Sequence, residues 1–126
     1  MIGDGAKQLL ALLLSITCIP AVHAAPSLVA QTEIYYLLTQ IGESQCEFNR
    51  NGTWYDAQRA RTHLAYKYHN LSADNLITSA DDFIDRAATA SSFSGLAYSI
   101  RCPGHDDVAS NPWLRALLAQ YRDCPP

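Results

Sequence analysis

The chain has 126 residues, with 12 acidic and 9 basic side chains and a formal net charge of −3. This length supports one domain with a modest core, and the mildly acidic balance argues against a nucleic acid as partner. After residue 24 no apolar run approaches the 18 residues of a membrane span, so no transmembrane segment is expected there.

The first predicted element is an export signal at residues 1–24. Its apolar run, LLALLLSITCI, has the length of a signal peptide and is too short for an ordinary membrane-spanning helix. We expect cleavage after Ala24, with Ala25 as the close alternative, and hence one small periplasmic domain at 25–126. A lipid anchor on Cys18 is the less favoured alternative.

The first half of the mature chain predicts a helix, a hairpin and a second helix. Ser27 can cap a helix over 27–42, whose apolar residues recur at helical spacing. Asn51-Gly52 lies between two alternating segments and is a strong signal for a hairpin turn. The second helix is expected over 56–71, with this core face: Ala57, Ala60, Leu64, Tyr68 and Leu71.

The second half predicts a helix over 79–90, a strand over 95–102, a loop and a last helix over 111–122. Thr78 or Ser79 can begin the third helix in a capping-box pattern with the aspartates that follow. The expected fold class is therefore α+β, a single domain with about four helices. These helices would pack with a small antiparallel sheet made of the hairpin plus one strand.

Three cysteines remain after the predicted cleavage: Cys46, Cys102 and Cys124. An exported chain meets an oxidising compartment, which predicts one disulfide and one free thiol. We favour Cys46–Cys102, because both cysteines lie in strand-like segments, and such a bridge would stabilise the fold by about 3–4 kcal/mol. A Cys102–Cys124 bridge is the main alternative.

A set of polar residues forms the candidate site. His63 and Lys67 are four residues apart on the second predicted helix, so their side chains project the same way. A cationic pocket with nearby hydroxyl groups would suit a small anionic or sugar-bearing ligand. The simpler interpretation is a solvated helix flank beside a basic hairpin. The candidate ligand-binding residues are Arg50, His63, Lys67, Ser91, Ser92, Ser94 and Tyr98.

Catalysis and metal binding are less favoured by the same residues. Serine with histidine suggests hydrolysis, but the G-x-S-x-G motif is absent and no carboxylate is placed to orient His63. The histidines His63, His69 and His105 lack the spacing of a metal site. We therefore predict no cofactor and no metal, and favour a protein that is not an enzyme.

Four segments, in chain order, resemble a YfeK-like family of small exported Gram-negative bacterial proteins: CEFNRNGTWY, AQRARTHLAYKY, SADDFIDRAATASSFSGLAYSIRCPG and WLRALLAQYR. The likeness runs from about residue 33 to residue 122, and the family is a domain of unknown function. It implies a periplasmic location and no established activity. The family pattern falls on Arg50, Asn51, Gly52, Ala60, His63, Leu64, Lys67, Phe83, Ile84, Ser91, Ser92, Ser94, Gly95 and Tyr98.

The segment SGLAY, at 94–98, suggests a different class of function. It is similar to the S-G-x-x-Y element that periplasmic lysozyme inhibitors insert into the lysozyme cleft. In that alternative the partner would be a cell-wall enzyme, and Ser94 and Tyr98 would make the hydrogen-bonding contacts.

Overall fold

Four helical segments and four short strands make up the part of the chain that the computed structural model describes, namely residues 3, 12–19 and 25–124. The predicted cleavage after Ala24 lies outside the described residues. Within these ranges, no helix combines the length and apolar character needed to cross a membrane. The elements are α1 Leu28–Glu43, β1 Glu47–Arg50, β2 Thr53–Tyr55, α2 Ala57–Ala73, α3 Ala80–Asp82 continued by a π-helical turn Phe83–Ala87, β3 Ser99–Arg101, β4 Val108–Ala109 and α4 Ser110–Asp123.

The strands form one antiparallel sheet in the order β2-β1-β3-β4. Asn51 and Gly52 join β1 to β2 with φ values of 53° and 83°, the left-handed conformation that a tight hairpin turn requires at both positions. The predicted hairpin is confirmed. The prediction of a hairpin plus one strand missed β4, because two residues are too short to show alternation.

Helices α1 and α2 pack closely against each other, with the predicted apolar faces turned inward. Gly42 permits this approach, since a Cβ atom there would lie 2.7 Å from Cδ of Arg61. Gln58 of α2 also donates its amide to the Gly42 carbonyl at 2.8 Å. The buried residues of the α1 face are Ala30, Glu33, Ile34, Leu37, Leu38, Ile41 and Gly42.

The third helix begins as predicted and ends earlier. The Ser79 hydroxyl accepts the Asp82 backbone N–H at 3.0 Å, while the Asp82 carboxylate accepts the Thr78 N–H at 3.0 Å. The helix stops at Ala87 rather than at residue 90. The Thr89 hydroxyl donates to the Ile84 carbonyl at 2.7 Å, and such side-chain bonds compete with helix continuation.

The disulfide joins Cys46 to Cys102, as favoured from the sequence. Cys46 directly precedes β1 and Cys102 directly follows β3. The two strands pair with Glu47 opposite Arg101, which brings the cysteines together. Cys124 is free and exposed, so the alternative Cys102–Cys124 pairing is wrong.

A network of ion pairs fixes α4 against α1 and α3. Arg122 binds the carboxylates of Glu33, at 2.5 Å, and Asp81, at 3.1 Å. Arg115 binds Asp81 at 3.0 Å and Asp85 at 2.6 Å. Burial of Asp81 acts to raise its pKa, but the hydrogen bonds and charges of the two arginines hold it below the usual value. Three carboxylates of this acidic chain are thus paired with arginines of α4.

Candidate functional site

A cavity of about 180 Å³ lies between β1, α2, the start of β3 and α4. Its inner wall is apolar, because Phe48, Leu64 and Leu114 are nearly fully buried. Arg59 is exposed and Arg50 half-buried, which places both at the opening. The lining residues are Phe48, Asn49, Arg50, Tyr55, Arg59, Ala60, His63, Leu64, Ala88, Tyr98, Ser110 and Leu114.

Four of the predicted site residues form a continuous chain of polar contacts. Nη1 of Arg50 lies 3.1 Å from each ring nitrogen of His63, and Nε2 of His63 lies 3.4 Å from the Tyr98 hydroxyl. Nζ of Lys67 donates to that hydroxyl at 3.1 Å and to the Ala90 carbonyl at 3.0 Å. The structure therefore brings Arg50, His63, Lys67 and Tyr98 together.

The positive side chains of this group, Arg50 and Lys67, and of neighbouring Arg59 form no ion pair with a described carboxylate. Lys67 is only 8% exposed, an unusual position for an ammonium group without an anionic partner. The guanidinium groups of Arg50 and Arg59 both lie against the ring of Tyr55, at 5.5 and 5.4 Å from its centroid.

Burial and the neighbouring positive charges shift the pKa values of His63, Lys67 and Tyr98. Burial lowers the pKa of His63, and the positive charges of Arg50 and Lys67 lower it further. The pKa of Lys67 is lowered by burial and then by Arg50. Burial raises the pKa of the Tyr98 hydroxyl, although Arg50 opposes that shift. The lowered pKa favours the neutral form of His63, which is the form that can accept a hydrogen bond from Arg50.

The lowered pKa of His63 predicts a loss of stability on acidification. Below the ordinary histidine pKa of about 6.5 the unfolded chain binds a proton at His63 that the folded chain resists. The free energy of unfolding should thus fall as the pH drops from 7.5 to 5.5, by at most about 1.4 kcal/mol per pH unit from this one group. Urea unfolding at pH 7.5, 6.5 and 5.5 measures the slope.

His63→Gln should flatten that slope, since glutamine can still accept from Arg50 and does not titrate. His69→Gln is the matched control, because it makes the same substitution at an exposed histidine of the same helix. An unaltered slope in His63→Gln would assign the acid sensitivity to other groups.

The three predicted serines are not among the residues that line the cavity. Buried Ser91 accepts hydrogen bonds from the Asn51 amide and from the backbone N–H groups of Phe93 and Ser94, each at 3.3 Å. Ser94 donates to the Asn51 side-chain oxygen, and Ser92 is exposed. Ser91 and Ser94 therefore fix the 91–97 loop to the hairpin turn that precedes α2.

Arg59 is a charged cavity residue that the sequence-based prediction missed. It precedes His63 by four residues, as His63 precedes Lys67. Positions four apart on a helix lie on one face, so the run of Arg59, His63 and Lys67 was the signal that could have identified it.

Neither a hydrogen-bonded serine–histidine pair at His63 nor a cluster of metal-ligating side chains occurs among the described residues. His63 contacts Arg50 and Tyr98 and hydrogen-bonds to no described serine. No group of three or more potential metal-ligating side chains occurs among these residues. The arrangement can present guanidinium donors to an anion at the edge of an apolar cavity.

A family model described as a family of unknown function, DUF5329, matches residues 29–122. Searches of curated proteins and of solved structures gave no match. The matched range contains every residue of the cavity.

Proposed function

We propose that this chain, which belongs to the DUF5329 family of unknown function, is a binding protein that takes a small anionic ligand at its cavity. The observation that carries the proposal is the position of Arg50 and Arg59 at the cavity opening, with no described carboxylate to pair with either. The chain is acidic overall, yet neither guanidinium group forms an ion pair with a described carboxylate. A carboxylate or phosphate group would supply the missing partner.

The cavity would bind an anionic ligand without catalysing a reaction on it. Among the described residues Ser110 is the one serine that lines the cavity, and its hydroxyl donates to the Ala88 carbonyl at 2.5 Å. The Tyr98 hydroxyl is held by Lys67. Simple acids, sugar acids and acidic cell-wall fragments all meet the requirement for a negative charge.

Arg50→Ala is expected to weaken the binding of an anionic probe about 10- to 100-fold. A hydrogen bond to a charged group contributes about 1.5–3 kcal/mol, and each 1.4 kcal/mol corresponds to a factor of ten. Isothermal titration calorimetry with benzoate, glucuronate and inorganic phosphate measures the change.

Arg101→Ala is the matched control, because it removes the same charge from an exposed arginine that does not line the cavity. Arg101 pairs with Glu47 at 3.2 Å and lies 4.0 Å from the ring centroid of Trp54. Equal losses in the two variants would indicate general attraction of anions to the protein and would contradict a site at Arg50.

The proposal extends to the location of the protein. The apolar run before residue 20 and the Cys46–Cys102 bridge support export to an oxidising compartment, and a periplasmic protein of the YfeK-like kind would meet that description. The intact mass of the periplasmic protein tests this. Loss of residues 1–24 is expected, and their retention, or lipid on Cys18, would contradict it.

A second candidate is a lysozyme-inhibitor-like protein that uses the 91–97 loop. The tip favours a protein contact, since Phe93 is 97% and Leu96 59% exposed. Tyr98 is 6% exposed and hydrogen-bonded to Lys67, so the contacts would come from Ser94 and the tip. This candidate would be favoured if the unchanged protein inhibits a lysozyme and the Ser94→Ala variant does not. It would be excluded if the unchanged protein does not inhibit lysozyme.

A further inference from the structure

The inner cavity is apolar, whereas its opening carries two arginines. This difference indicates which part of a ligand would lie in the cavity and which part at the opening. We infer that the ligand is an acid whose apolar body, one ring or a short branched chain, fills the cavity, with its acidic group at Arg50 and Arg59. The inference rests on the proposed function and narrows it, because a sugar acid of the same charge would be disfavoured.

The walls of the inner cavity are hydrocarbon. Phe48, Leu64 and Leu114 supply the large side chains, and Ala60 and Ala88 complete the wall between them. Ligand sites of this kind bind by burying apolar surface, while a few polar groups fix the orientation. The ligand surface that meets these walls should therefore be apolar.

The polar atoms of the lining are largely occupied within the protein. Ser110 donates to the Ala88 carbonyl at 2.5 Å, and the Tyr98 hydroxyl accepts from Lys67 at 3.1 Å. The Asn49 side-chain oxygen accepts the Gly52 N–H at 3.1 Å. Sugar hydroxyls placed here would lose water without gaining partners, and each such group weakens binding by roughly tenfold.

The size of the cavity sets the size of the apolar body. An engineered apolar cavity of about 150 Å³ binds benzene, and the cavity here is about 180 Å³. One six-membered ring, or a branched chain of similar volume, is the body that fits.

The opening supplies the anchor for the acid. Arg50 and Arg59 both lie against Tyr55, so the aromatic ring holds two guanidinium groups at one edge of the cavity. Guanidinium groups pair with carboxylates through parallel hydrogen bonds. In a ligand whose ring bears a carboxylate directly, the ring would lie in the apolar cavity and the carboxylate would lie at Arg50 and Arg59.

Benzoate and glucuronate form a matched pair of probes, since each carries one carboxylate on a six-membered ring and only glucuronate has hydroxyl groups. Isothermal titration calorimetry on the full chain should give benzoate at least tenfold tighter binding than glucuronate, and benzamide, which has no charge, should bind at least tenfold more weakly than benzoate. Tighter binding of glucuronate would overturn the inference and leave the proposed function standing. Failure of every acidic probe to bind would overturn both.

Ala60→Leu tests the location, because the larger side chain would fill the cavity from α2. It should reduce benzoate binding at least tenfold while the far-ultraviolet circular dichroism stays unchanged. Nuclear Overhauser contacts between benzoate ring protons and the methyl groups of Leu64 and Leu114 test the location in the unaltered protein. Contacts to other methyl groups alone would overturn it.

Discussion

Phe83→Ala is expected to lower the free energy of unfolding by about 3–5 kcal/mol, the usual loss for truncating a buried phenylalanine. Phe83 is completely buried at the start of the π-helical turn. Its ring packs edge-on against Tyr68 of α2, with centroids 5.9 Å apart. The alanine variant would lose these contacts and leave a void that the surrounding helices cannot fully close.

Phe93→Ala is the matched control for this prediction. It makes the same substitution ten positions later at a side chain that is 97% exposed, so its effect should stay within about 0.5 kcal/mol. Urea unfolding followed by circular dichroism measures both variants. Similar losses in the two would contradict the position of Phe83 in the core.

Removal of the disulfide is the second large effect. Cys46→Ala with Cys102→Ala should lower the free energy of unfolding by about 3–4 kcal/mol, because the unfolded chain regains the freedom of a long loop. Reduction of the unaltered protein by dithiothreitol should produce a similar loss. The free energy of unfolding by urea, with and without reductant, provides the measurement.

Cys124→Ala is the control for the cysteine variants. Cys124 is free and exposed, so its replacement should change stability by less than about 0.5 kcal/mol. A double variant as stable as the unaltered protein would show that the β1–β3 pairing does not depend on the bridge.

Local patterns in the sequence were sufficient to predict most of the fold. Ser27 and Ser79 cap their helices as expected, and Asn51-Gly52 forms the hairpin turn. The predicted end of the third helix was wrong, because the Thr89 hydroxyl binds the Ile84 carbonyl and competes with continuation of the helix. Strand β4 was missed, because its pairing with β3 rather than a local pattern defines it.

The candidate site was predictable only in part. Spacing on α2 placed His63 and Lys67 on one flank, and the contacts of both with Tyr98 agree with that placement. The cavity itself is lined by Leu114 of α4 together with Phe48 of β1, which are far apart in the sequence. No local pattern predicts that such distant residues line one cavity, so the apolar half of the site could not be predicted.

The two outer strands of the sheet, β2 and β4, affect whether the folded protein aggregates at high concentration. β2 has three residues and β4 has two, so each free edge offers very few unpaired backbone groups. Long flat edges act as templates on which further chains add as strands, and short edges suppress that growth. Fibril formation through the native sheet is therefore disfavoured. Self-association of the folded protein would more readily begin at exposed Cys124, by oxidation, or at exposed Phe93.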